Sequence, residues 1–502
     1  MEVNSVFLIR VSSEVDKNVD HPQFYDPSYP LKTIQAGLGR YGDVTVNILD
    51  CWIHPMDVPR IVEHAQSFQP DLVVVSASSF DITVAKRLMI SLKRQEDAPL
   101  VVGIGQGYYL QHDLFMDDSE SKYDAVLLGE PEEEFFILFD WIRKSDAKDQ
   151  SWKEHYRKDY VEGKRYTVND PDSLAFANYT PEELRAYKSI FPVKLSKEVV
   201  WGYLIATRGC PYDCTFCSEV MRVSIGKKLR GRTPANIVDE MKHLARQGVN
   251  ICSFQDDSFS SNRNLVKALC EELIARDSKM PWMCRGRIDE VNYETLTLMK
   301  KAGCVMMGFG VEAGSQRIVD DMIKQYKDRP WQDMCRQTFK WTRELGIGTN
   351  AYFILGNPTE TREEMEQTID LALELNTDTI QVHFYTPYPG STDWEKYKDQ
   401  IEKSDAENMY HYAAPKFNPS TVSGEELVRL RSKFYRRYIF RPSFAIPHFW
   451  RHAGFYWHNP DIFWSLVGIR KVFGTSATGS AEEDTNGISQ HRTATVRESP
   501  PG

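Results

Sequence analysis

Cys210, Cys214 and Cys217 lie within eight residues as C-x3-C-x2-C, directly after a strand-like run at 201–207. Three thiolates spaced this closely can all point at one soft metal centre. A structural zinc site would close with a fourth cysteine or histidine at a short, regular spacing. The next cysteine is Cys252. Three ligands and one open position suit a four-iron, four-sulfur cluster whose last iron binds a substrate. On the motif alone, a zinc or redox cysteine cluster is the alternative.

The elements that must position this loop are short apolar runs alternating with helical periods over residues 200–395. The run at 251–254 ends in Gln255-Asp256-Asp257, that at 283–287 carries Arg285 and Arg287, and that at 305–311 ends in Glu312-Ala313-Gly314-Ser315. A fifth run, 349–355, contains Tyr352 and ends in GNPTET; a sixth, 379–385, leads into TPYPGST. Six such units predict a partial β/α barrel with its chemistry at the C-terminal strand ends. His383, Tyr385 and Tyr388 then fall near the mouth, with Tyr352 facing the same interior. Tyr385 and Tyr352 are the candidate catalytic residues, because a phenol can hydrogen-bond a substrate or give up its hydrogen to a radical. Core packing with a satisfied hydroxyl is the alternative.

Residues 1–145 repeat the alternation, with apolar runs at 6–10, 44–49, 72–76, 100–104 and 125–128 and helical periods at 31–41, 58–68, 82–94 and 131–143. Continuous apolar strands between helices predict an α/β, doubly wound parallel sheet covered on both faces. Ligands of such sheets sit beyond the C-terminal strand ends. There the sequence places Ser76, Ser78 and Ser79, then Gly103, Gly105 and Gly107, then Gly129-Glu130. Glycine at such places lets backbone approach a large flat ligand or a nucleotide-like tail, although a lone G-x-G is a weak signal.

Residues 146–199 are charged and interrupted by Pro171, Pro181 and Pro192, which predicts a connector laid over the surface. Residues 396–474 form a helical, aromatic-rich region, expected to cap the barrel. Contact with a membrane surface or an apolar substrate is the alternative, given its arginines and tryptophans. Residues 475–502 are rich in Ser, Thr, Glu and Gly and predict a disordered tail.

Composition narrows the function. A net charge of −10 gives nucleic acid no basic footprint. Nine mostly scattered cysteines form no secreted framework and suggest a reducing compartment. The N-terminus reads as a first strand rather than a signal peptide, and no apolar run approaches the ~20 residues of a membrane span. The expected location is the cytoplasm.

The C-x3-C-x2-C loop, with Phe216 before its last cysteine, resembles the cluster loop of radical S-adenosylmethionine (SAM) enzymes. In that family the open iron chelates SAM, and one electron from the cluster cleaves it to a 5'-deoxyadenosyl radical. SAM carries a zwitterion, a sulfonium and a ribose diol, so carboxylates and a cation at strand ends suit it. The resemblance implies that Asp256 or Asp257 contacts the amino group, and that Glu312 and Ser315, in VEAGSQ, contact the ribose and methionine portions. It also puts Phe216 near the adenine, while Arg285 or Arg287 would pair with a carboxylate of cofactor or substrate. Each of these charges, taken singly, reads equally as a helix cap or a salt-bridge partner.

The first domain, with its GEPEEEF segment, is similar to the cobalamin-binding domains that precede many radical SAM cores. By that resemblance Ser76, Ser78, Gly103, Gly105 and Gly129 would line the cobalamin. The sequence departs from the wider cobalamin pattern in lacking D-x-H-x-x-G, which implies a cobalt without an axial histidine; His54 reads as an ordinary loop residue. A flavodoxin-like domain holding no cofactor is the alternative. Members of the family include methylases of unactivated carbon or phosphorus, ring-forming enzymes of the tetrapyrrole pathway and hopanoid-tailoring enzymes. The implied activity is C-methylation of a small molecule or lipid, served by a flavodoxin- or ferredoxin-type electron donor. A cyclase or rearrangement enzyme without methyl transfer is the alternative, and a cobalamin or redox sensor is one of another class.

Overall fold

The computed structural model describes residues 3–12, 26–78, 81–110, 123–145, 151–187, 198–217, 227–324, 329–388, 390–401, 415 and 417–458. Ser79 and the 475–502 tail lie outside them. Strands β1 (Ser5–Arg10), β2 (Thr45–Asp50), β3 (Leu72–Ser76), β4 (Leu100–Ile104) and β5 (Ala125–Val126) form one parallel sheet in the order β2-β1-β3-β4-β5. The sequence dictates burial on both faces. Phe7, Ile9, Val73, Val75 and Val101 enter one core, whereas Val6, Leu8, Leu72, Val74 and Val102 enter another. Strands with two apolar faces need helices above and below. The order reverses between β1 and β3, so the crevice beyond Arg10 and Ser76 is the topological switch point.

The expectation that 146–199 lies over the surface is corrected. Helix Ser151–Val161 buries Trp152 and Tyr156 in a core of the first sheet. The Tyr156 hydroxyl accepts from the Val126 amide at 2.7 Å and donates to the Val126 carbonyl at 2.6 Å. It thereby completes the short β5. Farther on, Ala177, Tyr179, Leu184 and Tyr187 join the core of the second sheet. A charged composition concealed a helix whose apolar stripe is essentially two aromatic rings.

The second sheet comprises β6 (Trp201–Leu204), β9 (Ile251–Phe254), β10 (Trp282–Gly286), β11 (Cys304–Glu312), β12 (Gly348–Leu355) and β13 (Thr379–Phe384), all parallel. Its order is β13-β12-β11-β10-β9-β6. Alternation puts Cys252, Phe254, Trp282, Cys284, Phe309 and Phe353 into the core under the helices. Ser253, Gln255, Arg285, Gly308, Tyr352 and His383 fall on the opposite, inner face. Two short strands, β7 (Thr207–Arg208) and β8 (Arg230–Gly231), pair antiparallel and pinch the base of the cysteine loop.

The aromatic-cap expectation holds for one C-terminal helix and fails for the next. Helix Gly424–Ile439, capped by Ser423, sends Leu427, Leu430, Phe434 and Tyr438 into the barrel core. Helix Pro442–His458 instead leaves Phe449, Trp450 and Trp457 exposed. Among the described residues, no helix is long and apolar enough to cross a membrane.

Candidate active site

All nine cysteines are free thiols. Six are buried; Cys210 and Cys214 are half-buried and Cys217 is exposed. Burial pushes the Cys210 thiol up, with Asp257 and Cys214 adding to the shift. The loop is tied down between its sulfurs. Thr215 donates from its amide to the Met322 carbonyl at 3.1 Å and from its hydroxyl to Asp393 at 3.1 Å, and its carbonyl accepts from the Asp393 amide. Phe216 packs against the barrel core. The Arg287 guanidinium stands 3.6 Å from the Cys214 sulfur, 3.8 Å over the Tyr212 ring, and pairs with Asp289 at 2.8 Å.

This donor set fits an iron–sulfur cluster. Three reduced thiols share one anchored loop, with a cation alongside to balance an anionic centre. His243, which lies between Cys217 and Cys252 in sequence, bonds Asn178 at 2.9 Å and packs on Phe176, so it is committed elsewhere. Among the described residues, no three His, Cys, Asp or Glu side chains are already gathered as a closed metal cage.

The strand ends separate the predicted contacts by what already occupies them. Asp256 is buried and accepts from the Ala206 amide at 3.1 Å and from the Thr207 hydroxyl at 2.6 Å. Its carboxylate fixes the approach to the cysteine loop. Asp257 is less enclosed; burial and the Asp256 charge raise its pKa to about 7, against the pull of Arg208. Glu312 adopts φ 66°, a left-handed conformation uncommon for a non-glycine residue, and its carboxylate pairs with Lys324. The Ser315 hydroxyl donates to Glu364 at 2.8 Å. Arg317 holds that carboxyl down at about 2.

On the inner face, Tyr352 and His383 stack with centroids 6.3 Å apart. Burial and Arg431 lower the His383 pKa to about 4, so its imidazole is neutral at physiological pH. Burial and Asp393 hold the Tyr385 phenol protonated.

Arg285 does not face an empty mouth. It lies beside Asp26, which comes from the loop after β1; Tyr203 hydrogen-bonds the same carboxyl, and burial raises its pKa. The Asp26 carbonyl accepts from Arg10 at 2.5 Å. Arg10 also pairs with Asp50 at 3.4 Å and sits 3.8 Å over the Trp52 ring, while Tyr187 donates to Asp50 at 2.9 Å. Arg10 and Asp50 end β1 and β2. The C-terminal edges of the two sheets therefore face one another.

A second seam joins those edges. Arg208, two residues before Cys210, pairs with Glu130 at 3.3 Å and Glu132 at 2.7 Å. Arg230, its partner across β7 and β8, reaches Glu130 at 2.6 Å. All four side chains are largely withdrawn from water. Sequence reading singled out the GEPEEEF segment without its partners, which lie 76 to 100 residues away. Thr215, Asp393 and Lys324 were missed as well, since nothing local marks them.

At the first sheet's edge, the predicted glycines have neighbours within the protein. A Cβ on Gly103 would lie 2.7 Å from the Tyr108 ring, and one on Gly105 (φ 102°) 2.7 Å from the Ala77 carbonyl. Gly129 packs against the Tyr166 carbonyl and Glu134. The Ser78 hydroxyl donates to Asp81 at 2.6 Å, and the Ser76 carbonyl accepts from the Val11 amide. Close internal packing accounts for these glycines before any ligand is considered. His54 is an exposed loop residue.

Residues 204–372 match the family model of the Radical SAM superfamily. An uncharacterized methyltransferase of Pyrococcus horikoshii is 28% identical over 82% of this chain and 87% of its own length. The anaerobic magnesium-protoporphyrin IX monomethyl ester cyclase of Cereibacter sphaeroides is 26% identical over 84% of this chain and 68% of its own. Among solved structures, the radical SAM methyltransferase TsrM from Kitasatospora setae, with cobalamin and a [4Fe-4S] cluster bound, superposes with a TM-score of 0.59. It covers 80% of this chain and 78% of TsrM at 17% identity, a likeness of fold. The cysteine loop and the barrel that carries it define a radical SAM enzyme. The match to that superfamily spans the cysteine loop and most of the barrel, and the five-stranded sheet lies N-terminal to it.

Proposed function

We propose that the chain is a cobalamin-dependent radical SAM C-methyltransferase acting on an unactivated carbon of a small molecule or lipid. The observation that carries the reading is the apposition of two C-terminal strand edges, one shaped by close-packed glycines and the other bearing the cysteine loop. Reactants bound at each edge would meet in one space closed to water. When bound, the cluster with SAM supplies one-electron chemistry at a C–H bond, and a corrinoid supplies the methyl group.

The chain's own residues would hold and orient. Cys210, Cys214 and Cys217 bind iron, and Arg287 balances its charge. Asp257 and Glu312 would accept from the SAM ammonium and ribose, whereas Asp256 and Ser315 would position the backbone behind them. Phe216 supports the adenine side. Arg285, drawn toward Asp26, would orient an anionic group at the boundary between the edges. Ser76, Ser78, Gly103, Gly105 and Gly129 shape the corrinoid's side. Tyr352 and Tyr385, the latter held protonated by burial and Asp393, would border the substrate space. A flavodoxin- or ferredoxin-type donor would reduce the cluster.

The likeness to the Cereibacter cyclase, which spans most of both chains, supports a second reading in which no methyl group is transferred. Purification with hydroxocobalamin, followed by anaerobic incubation with SAM and a reductant, separates the two. Stoichiometric corrinoid and S-adenosylhomocysteine alongside 5'-deoxyadenosine are expected. Release of 5'-deoxyadenosine by protein that binds no corrinoid would favour the cyclase.

A further inference from the structure

Helix Pro442–His458 turns its apolar side outward. Ile446, Phe449, Trp450 and Trp457 are 59%, 45%, 75% and 83% exposed. At the helical repeat they fall within an arc of about 100°. The inward side is polar as well as aromatic: His448 bonds the Tyr456 hydroxyl at 2.8 Å, and His452 and Tyr456 are buried. A helix facing only water presents the reverse pattern.

Charge points the same way. Residues 431–458 hold Arg431, Lys433, Arg436, Arg437, Arg441 and Arg451 and no aspartate or glutamate, in a chain of net charge −10. Glu366, Asp370 and Asp378 on neighbouring elements pair with Lys433, Arg437 and Arg451. Arg436 stays exposed. Arg441 is bonded to the Leu373 carbonyl and the Asn376 side chain, neither of which cancels its charge. Uncompensated cations thus flank the start of the apolar arc.

We propose that this face docks the enzyme on an anionic membrane surface, the helix lying in the headgroup layer with Trp450 and Trp457 inserted. The helix does not qualify as a span, so it lies on the bilayer rather than through it. An anionic headgroup layer satisfies both the apolar arc and the cations, which a second copy of the same cationic helix does not. The inference stands apart from the reaction and survives if methyl transfer does not.

The test is co-sedimentation of the full-length, cluster-reconstituted protein with vesicles of phosphatidylglycerol and phosphatidylcholine in equal parts, and with phosphatidylcholine alone. Binding to the anionic vesicles is expected to be at least about tenfold tighter, and to weaken with salt. Trp450→Glu with Trp457→Glu should reduce it about tenfold or more, and Arg436→Gln several-fold, with the thermal midpoint and iron content unchanged because these side chains point outward. Equal binding to both vesicles, or none to either, would overturn the proposal. So would a dimer in solution that Trp450→Glu dissociates, which would assign the face to a second copy.

Discussion

At the ends of β1 to β5 the chain places glycines pressed against their own neighbours, Gly103 under Tyr108 and Gly105 against Ala77. At the ends of β6 to β13 it places charges held out of water: Asp256 and Asp257, Arg287 against Cys214, and Glu312 with Lys324. Both edges belong to parallel sheets of similar build, so the contrast lies in what each edge offers. Beyond β3 and β4 the first presents shape, made of backbone and small side chains, while its charges, Arg10, Asp50 and Glu130, are engaged in pairs within the protein. The second presents oriented charge, which in a low-dielectric setting acts strongly on a polar ligand. Division of labour between two reactants is the simplest consequence.

The largest test of that contrast is loss of the sulfurs. Cys210→Ala, Cys214→Ala or Cys217→Ala should reduce bound iron and 5'-deoxyadenosine formation to background while leaving corrinoid uptake intact. An intact cluster spectrum in the triple variant would contradict the assignment. Next is the seam: Arg208→Met leaves buried Glu132 without its guanidinium and Glu130 with Arg230 alone, and should cost about 3–5 kcal/mol in denaturant unfolding. Replacing Arg143, whose pair with Asp43 is exposed, should leave the midpoint essentially unmoved.

The charged edge should also show itself in pH dependence. Glu360, beyond β12, accepts from the Gly356 amide at 2.8 Å and the Asn357 amide at 2.9 Å, yet burial raises its pKa to about 7. A raised carboxyl pKa means the folded state holds the proton more tightly. Its contribution is full below pH ~4.3, the unfolded value, and is lost as pH climbs to about 7. Glu360→Gln should remove a decline on the order of 3–4 kcal/mol across that window, read from unfolding curves.

The smallest effect sharpens the other edge. Gly105→Ala meets both φ 102° and a carbonyl, whereas Gly248→Ala at φ 103° meets open space. Expected losses are about 2–3 kcal/mol for the first and about 1 for the second. If Gly105→Ala keeps full stability but loses corrinoid, that glycine serves a ligand rather than packing.

Period and loop chemistry made the two sheets legible. Continuous valine and isoleucine runs predicted two-faced burial in β1, β3 and β4, and the polar residues after each apolar run predicted where the barrel's strands stop. What escaped is long-range pairing. Nothing beside Arg208 announces Glu130, and nothing in Glu312 announces Lys324, because ion pairs carry no spacing rule once they leave a helix. The role of Trp152 and Tyr156 was hidden for another reason: two rings among lysines and glutamates barely register as amphipathic. Glycine misled by ambiguity, since approach to a ligand and approach to a tyrosine ring demand the same missing side chain.

Glu130 is fully buried, yet the cations that compensate it arrive from Arg208 and Arg230, far along the chain. During synthesis the carboxylate therefore emerges well before anything that can neutralise it. A fragment cut after residue 145 would carry Glu130 and Glu132 at its rim with no guanidinium to meet them, so it would be a poor surrogate for the intact N-terminal half. Excision for binding studies should extend past residue 231, or start from a chain in which both acids have become glutamine.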